Sequence, residues 1–301
     1  MKTSNLISPF RYPGSKKYLC KYIEFYIKEN LLLGSHFFEP YAGGASVSLH
    51  LLSEGLVSHV TLIERDPLIY AFWKALKNST EELCININKL NVNISTWYSF
   101  QKYLDANALK KYPLLEVATA GIFFNRTNFS GLLNAGPIGG YEQKSEYKIS
   151  CRFNKQNLID QIFSISEHKK QITVVYSDAI SYLKRHRNRL INNCSFIYLD
   201  PPYYKNGKRL YRYYYEKKDH MLLAEYIQEQ FYPWLVSYDI NPYIINIFKK
   251  QKIIPITLNY TIREYKKAEE ILISNLSFPP VPGTYISEQP EDLFSKCLRE
   301  I

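Results

Sequence analysis

A carboxylate followed by two prolines and an aromatic ring stands at Asp200-Pro201-Pro202-Tyr203. The four residues before it, Phe196 to Leu199, are all apolar, the pattern of a strand buried on both faces, so the strand delivers Asp200 to a sheet edge. The prolines fix φ and lack N–H groups, which leaves their carbonyls in place and open as acceptors, while Tyr203 sets a flat ring beside them. Two acceptors next to an aromatic face suit a planar ring bearing an exocyclic NH2 that is gripped by both hydrogens. Adenine is such a ring. The same four residues also serve simply to turn a corner, and what the other strand ends carry decides between the two readings.

Three other strand ends carry groups that a ligand could use. Phe37 and Phe38 lead to Glu39-Pro40, a glycine turn at Gly43-Gly44, and a helix from Val47 to Leu52 that stops at Gly55. Glycines there let backbone approach a ligand, and the helix start offers N–H groups. With no G-x-G-x-x-G and no Gly-Lys-Ser/Thr, phosphate cradling is disfavoured, and Glu39 suits a cationic amine. The next strand, His59 to Glu64, ends 21 residues after Gly43, near the spacing at which an acid meets ribose hydroxyls. Asp66 competes for that role, but ahead of Pro67 it reads as a helix N-cap. A further strand, Ile172 to Ser177, ends at Asp178, which also suits an N-cap.

These ends need a parallel sheet to bring them together. Strands alternate with helices along much of the chain, continuing through a helix near Asp219 to Gln230, a strand Trp234 to Ser237 and a helix near Pro242 to Phe248. Strands Ile253 to Leu258 and Glu270 to Ser274 then frame a basic hairpin with Arg263, Lys266 and Lys267. The expectation is an α/β fold with a doubly wound, mostly parallel sheet and ligands at the carboxyl ends of its strands. The rhythm breaks between Ser79 and Phe124, where three helices are expected, and again in the Gly-, Asn- and Ser-rich stretch from Asn125 to Arg152. This gives a catalytic domain over 1–76 and 154–301, with 77–153 as an inserted, mainly helical region. Near the N-terminus, residues 10–16 form a Pro-Gly turn that feeds a helix, with Ser15 a possible cap. The tail beyond Pro279 reads as coil.

The chain has 301 residues, with 38 Lys and Arg against 28 Asp and Glu for a net charge of +10, which suits a polyanionic partner without specifying one. Residues 203–218 concentrate that charge, six cations including Lys205, Lys208, Arg209 and Arg212 against Glu216 alone, interleaved with tyrosines as a lid following DNA phosphates requires. Five scattered cysteines without a C-x-x-C pair read as reduced thiols in a cytoplasmic protein, and no His or Cys spacing fits a metal site. No signal peptide or membrane span is expected.

Asp200-Pro201-Pro202-Tyr203 resembles the catalytic motif of the amino-methyltransferases, which methylate adenine N6 or cytosine N4 in DNA. The order of parts, cofactor loop, inserted region, then this motif, resembles the alpha-type, D12-class adenine-N6 group that includes the Dam methylases. The resemblance implies a seven-stranded sheet of the S-adenosylmethionine-dependent methyltransferase fold. Tyr12, Gly14 and Lys16 then match a family element that closes over S-adenosylmethionine, with Glu39, Pro40, Gly43, Gly44 and Ser46 in its binding loop. Ala45 departs from the family's usual second glycine. Asp178 matches a contact to the cofactor's adenine, and Asn125, Arg126 and Asn128 fall in the family's DNA-contacting region. The implied activity is adenine-N6 methylation of double-stranded DNA on a flipped-out base, by a monomer, with a companion restriction endonuclease sharing the target sequence as a further partner. Methylation of cytosine N4 or RNA adenine, and a catalytically inactive DNA-binding module, stand as alternatives.

Overall fold

The computed structural model describes residues 6–11, 16–260 and 266–280, with backbone alone at 257–260 and 266–269. Seven strands form one sheet: β1 (His36–Pro40), β2 (His59–Glu64), β3 (Ile172–Tyr176), β4 (Ser195–Leu199), β5 (Trp234–Asp239), β6 (Lys252–Tyr260) and β7 (Lys266–Ser274). Their order is β3-β2-β1-β4-β5-β7-β6. The first five are mutually parallel, and β7 runs antiparallel to both β5 and β6. The sheet is therefore mixed, with an antiparallel hairpin closing one side of a parallel core.

Side-chain alternation assigns each strand residue to one of two cores. Phe37, Leu62, Phe196, Tyr198 and Leu235 join one cluster. Their neighbours Phe38, Ile63, Ile197, Leu199, Trp234 and Val236 join the other. Helices α1 (Cys20–Glu29), α2 (Ser46–Ser53) and α3 (Pro67–Asn78) cover the first face. The second is covered by helices later in the chain. Burial on both faces explains why the strands read as continuous apolar runs, and their shared direction explains why the loops leaving the parallel strands open at the same edge.

Over residues 79–127 the chain makes four α-helices, where three were expected: α4 (Thr80–Lys89), α5 (Ile94–Phe100), α6 (Ala108–Lys111) and α7 (Leu114–Thr127). Asn93 caps α5 through the Thr96 N–H, and Pro113 opens α7, so the breaks fall where side chains satisfy or remove helix-start donors. Helix α7 lies against α3, and Phe123 and Phe124 share one core with Phe72 and Trp73, so these helices are continuous with the sheet's first face. The chain returns through α8 (Lys155–Ser166), capped by Asn154. Then come α9 (Ala179–Arg185), α10 (Arg187–Asn192), the short α11 (Gly207–Leu210), α12 (Lys217–Gln228) and α13 (Pro242–Ile247). Leu183, Leu190, Leu223 and Ile244 from four of these close the second face.

Candidate active site

Strand β4 ends at Leu199, and Asp200 follows at the carboxyl edge of the sheet. Its Oδ1 accepts from Lys16 Nζ at 2.7 Å and from Ser237 Oγ at 2.9 Å. Lys16 is buried, and its ammonium also donates to the Tyr203 hydroxyl at 2.8 Å. Tyr203 in turn donates to Glu270 Oε1 at 2.7 Å, which takes a second hydrogen bond from Tyr18 at 2.6 Å. Burial works against the Lys16 charge, yet Asp200 and Glu270 hold its pKa well above the usual lysine value. Burial also raises the Asp200 carboxyl, with Lys16 opposing it. Beyond the prolines, Asp239 accepts from the Tyr204 and Lys205 N–H groups at 3.0 and 3.2 Å and so pins the turn.

The glycine turn after β1 is held by Glu64 and Trp73. Glu64 Oε2 accepts from Gly43 N at 3.0 Å, its Oε1 accepts from the Arg65 and Asp66 N–H groups at 2.8 Å each, and Trp73 Nε1 donates to Gly43 O at 2.8 Å. Gly43 at φ 46° and Ala45 at φ 50° both lie in the left-handed region, so Ala45 adopts the backbone that a glycine takes more cheaply. Buried Glu39 accepts from Ser48 N at 3.1 Å and from the Ser48 hydroxyl, which ties the end of β1 to the first turn of α2. Burial lifts Glu39 to about 8, with Ser48 opposing, and Glu64 to about 7, with backbone donors opposing.

One cavity joins these parts. It is lined by Lys16, Glu39, the turn from Tyr41 to Val47, Glu64, Arg65, Asp66, Asp200 and Pro202, and is covered by Tyr211, Arg212, Tyr213 and Tyr215. Gly43, Gly44 and Ser46 are thus on its wall, while Pro40 is buried at the end of β1 and outside the lining. Asp178 is also outside the lining: it caps α9 through Ser181 N at 3.0 Å and faces Arg65 at 3.7 Å. Asp66 lines the cavity and caps α3 as well, through Leu68 N at 2.9 Å. Tyr12, Gly14, Ser15 and Arg263 lie outside the described residues, as do the side chains of Lys266 and Lys267.

The residues expected to grip DNA divide. Lys205, Lys208 and Arg209 are exposed. Arg212 is turned inward instead. It pairs with both oxygens of Asp66 at 3.0 and 3.1 Å and donates to Leu104 O at 2.5 Å, which straps the covering segment to the start of α3 and to the turn after α5. Asn125 and Arg126 belong to α7, because its apolar run continues for one more turn than the loop-like composition implied. Asn125 is fully buried and bonds Arg11 N, Arg11 O and Gly131 O; Arg126 donates to Pro9 O. Asn128 is equally buried, accepting from Trp97 Nε1 at 2.7 Å and donating to Leu132 O and Leu133 O. The polar groups of these four residues are engaged in contacts within the fold. What these asparagines do present is Phe129, 66% exposed on the loop they anchor.

Sequence reasoning missed Tyr18, Ser237, Asp239 and Glu270 as parts of the site. Ser237 and Asp239 share the carboxyl end of β5, and Asp239 stands opposite Glu270 in the β5–β7 ladder. Ser237 and Glu270 were legible only as ordinary strand residues, Asp239 lay just past the expected strand, and Tyr18 lay in the turn ahead of α1. Among the described residues no group of three or more His, Cys, Asp or Glu could hold a metal ion, and no helix is long and apolar enough to cross a membrane.

Comparison with curated proteins returns no match. The family model of the D12 class N6 adenine-specific DNA methyltransferases matches residues 12–262, which include the glycine turn, the Lys16–Asp200 pair, the Asp-Pro-Pro-Tyr turn and the segment covering the cavity. The chain therefore belongs to the D12 class N6 adenine-specific DNA methyltransferase family.

Proposed function

We propose that the chain transfers a methyl group from S-adenosylmethionine to N6 of an adenine turned out of double-stranded DNA at a specific site. The observation that carries this reading is the junction of two differently built regions at Asp200: a cavity walled by buried acids on one side and the rigid Pro-Pro-Tyr turn on the other. Bound in that cavity, S-adenosylmethionine supplies an electrophilic methyl on a cationic sulfur. The donor set fits it. Glu39 offers a buried carboxylate for the amine, Glu64 and Asp66 stand where ribose hydroxyls are recognised, and Tyr211, Tyr213 and Tyr215 supply flat apolar cover.

On the base side, Asp200 Oδ1 is already bonded to Lys16 and Ser237, and its Oδ2 accepts from no described residue. That oxygen and the Pro201 carbonyl accept the two N6 hydrogens, which aims the nitrogen lone pair at the methyl, while the Tyr203 ring packs on the base. Adenine N6 cannot reach a site this deep from within the stack, so the base leaves it. Positioning supplies much of the acceleration, without a strong general base. Exposed Lys205, Lys208 and Arg209 beside the turn, with the 77–153 region and its projecting Phe129, form the face offered to DNA. The protein acts as a soluble, cytoplasmic monomer, alone or beside an endonuclease of the same target.

Asp200→Ala tests the reading: labelled-methyl incorporation into DNA should fall by at least about a hundredfold, with donor binding retained. Normal transfer by that variant overturns the assignment. Digestion of the product to nucleosides identifies the base, and N4-methylcytosine in place of N6-methyladenine overturns the choice of substrate.

A further inference from the structure

Glu270 is a buried carboxylate on β7, 67 residues after Tyr203 and on a strand that contributes nothing to the lining of the cavity. Its Oε1 holds the hydroxyls of Tyr203 and Tyr18 and lies 3.6 Å from Lys16 Nζ, whereas its buried Oε2 has no hydrogen-bond partner. Leaving a carboxylate oxygen buried and unpartnered is expensive, and if two hydroxyls were all it had to hold, a neutral acceptor would serve at lower cost. What a carboxylate adds is charge. Among the described residues, two carboxyl groups, those of Asp200 and Glu270, flank the one ammonium of Lys16 at the place where Asp200 faces the cavity.

We propose that Glu270 is a positioning residue for methyl transfer, holding Tyr203 by its hydroxyl and adding a second carboxylate beside the Lys16 ammonium that pairs with Asp200, so that the group keeps net negative charge beside the reacting atoms. The inference rests on the function proposed above and deepens it. In the transfer the N6 lone pair forms the new N–C bond, the S–C bond breaks with its electrons left on sulfur, and the proton that nitrogen then sheds passes to Asp200. Positive charge thus moves from sulfur to nitrogen, toward Asp200. A group neutralised by Lys16 stabilises that movement less than one kept negative by Glu270.

Glu270→Gln keeps the size and one acceptor oxygen and removes the charge. The single-turnover rate on a DNA duplex should fall about ten- to a hundredfold, with KM for DNA unchanged. By calorimetry, the preference for the cationic donor over neutral S-adenosylhomocysteine should fall by about fivefold or more, and Glu270→Asp should restore part of it. A rate and a preference both equal to those of the parent protein overturn the proposal. Should Glu270→Gln not fold, Tyr18→Phe removes one of the hydroxyls that hold Oε1; it should slow the single turnover at unchanged KM, and an unchanged rate overturns the proposal equally. If the parent protein itself moves no methyl to adenine, the function proposed above fails; if it does and these variants behave like it, Glu270 alone loses its role.

Discussion

At the scale of single residues, the same side chain type serves chemistry or architecture according to what surrounds it. Asp200 Oδ1 takes both Lys16 and Ser237, and its Oδ2 accepts from no described residue. Asn125 keeps nothing back: its amide closes three bonds, to Arg11 N at 2.7 Å, Arg11 O at 2.9 Å and Gly131 O at 3.0 Å, and joins the N-terminal segment to the end of α7. Asn125→Ala strands those backbone groups and should cost about 2–3 kcal/mol of stability, read from the midpoint of chemical denaturation. Unaltered stability with a changed target sequence would restore Asn125 as a reader of bases. The difference was not visible beforehand, since Asn, Arg and Ser next to glycines look alike whether they face solvent or cap a buried helix end. Arg212 is a similar case. Its neighbours in sequence are cations and tyrosines, but its partner Asp66 is 146 residues away.

Elements carry constraints that no single residue shows. Helices α3 and α7 pack so closely that a Cβ placed on Gly121 would lie 2.6 Å from Leu68 O, in the first turn of α3, next to the cap at Asp66. Gly121→Ala should therefore destabilise by about 1–3 kcal/mol with the dependence on denaturant concentration unchanged, since the cost is overpacking in the folded state. Stability equal to the parent's would mean that the helices separate freely. The element scale is also where the sequence was most informative. Apolar runs at Phe37–Phe38, Val60–Ile63 and Phe196–Leu199 end in Glu39, Glu64 and Asp200, and the structure brings those three ends to one cavity because parallel strands share a carboxyl edge. Glu270 escaped notice because it follows Lys266, Lys267 and Glu269 in a stretch that reads as a solvated hairpin, and nothing local signals that β7 lies between β5 and β6. Sheet order is a long-range property, and the partners of Tyr203 depend on it.

For the molecule as a whole, the carboxylates of the cavity tie stability and donor binding to pH. Burial raises Glu39 from 4.5 to about 8 and Glu64 from 4.5 to about 7. A carboxyl with its folded pKa raised holds a proton that the unfolded chain has released, so its contribution to stability is fully present below about pH 4.5 and is lost as pH rises through 8 for Glu39 and 7 for Glu64. Other groups titrate in the same window, but a comparison with Glu39→Gln cancels them. The variant should show a flatter fall in stability between pH 5 and pH 9, and the difference between the two proteins over that range should be on the order of 3–5 kcal/mol. Donor binding reverses the balance: an ammonium placed beside Glu39 favours its carboxylate, so the proton leaves. Binding of S-adenosylmethionine at neutral pH should then release a fraction of a proton, measured by calorimetry in buffers of different ionisation enthalpy, and Glu39→Gln should remove that release. Parallel pH profiles for the two proteins, or a proton release that persists in the variant, would place the donor's amine elsewhere in the cavity.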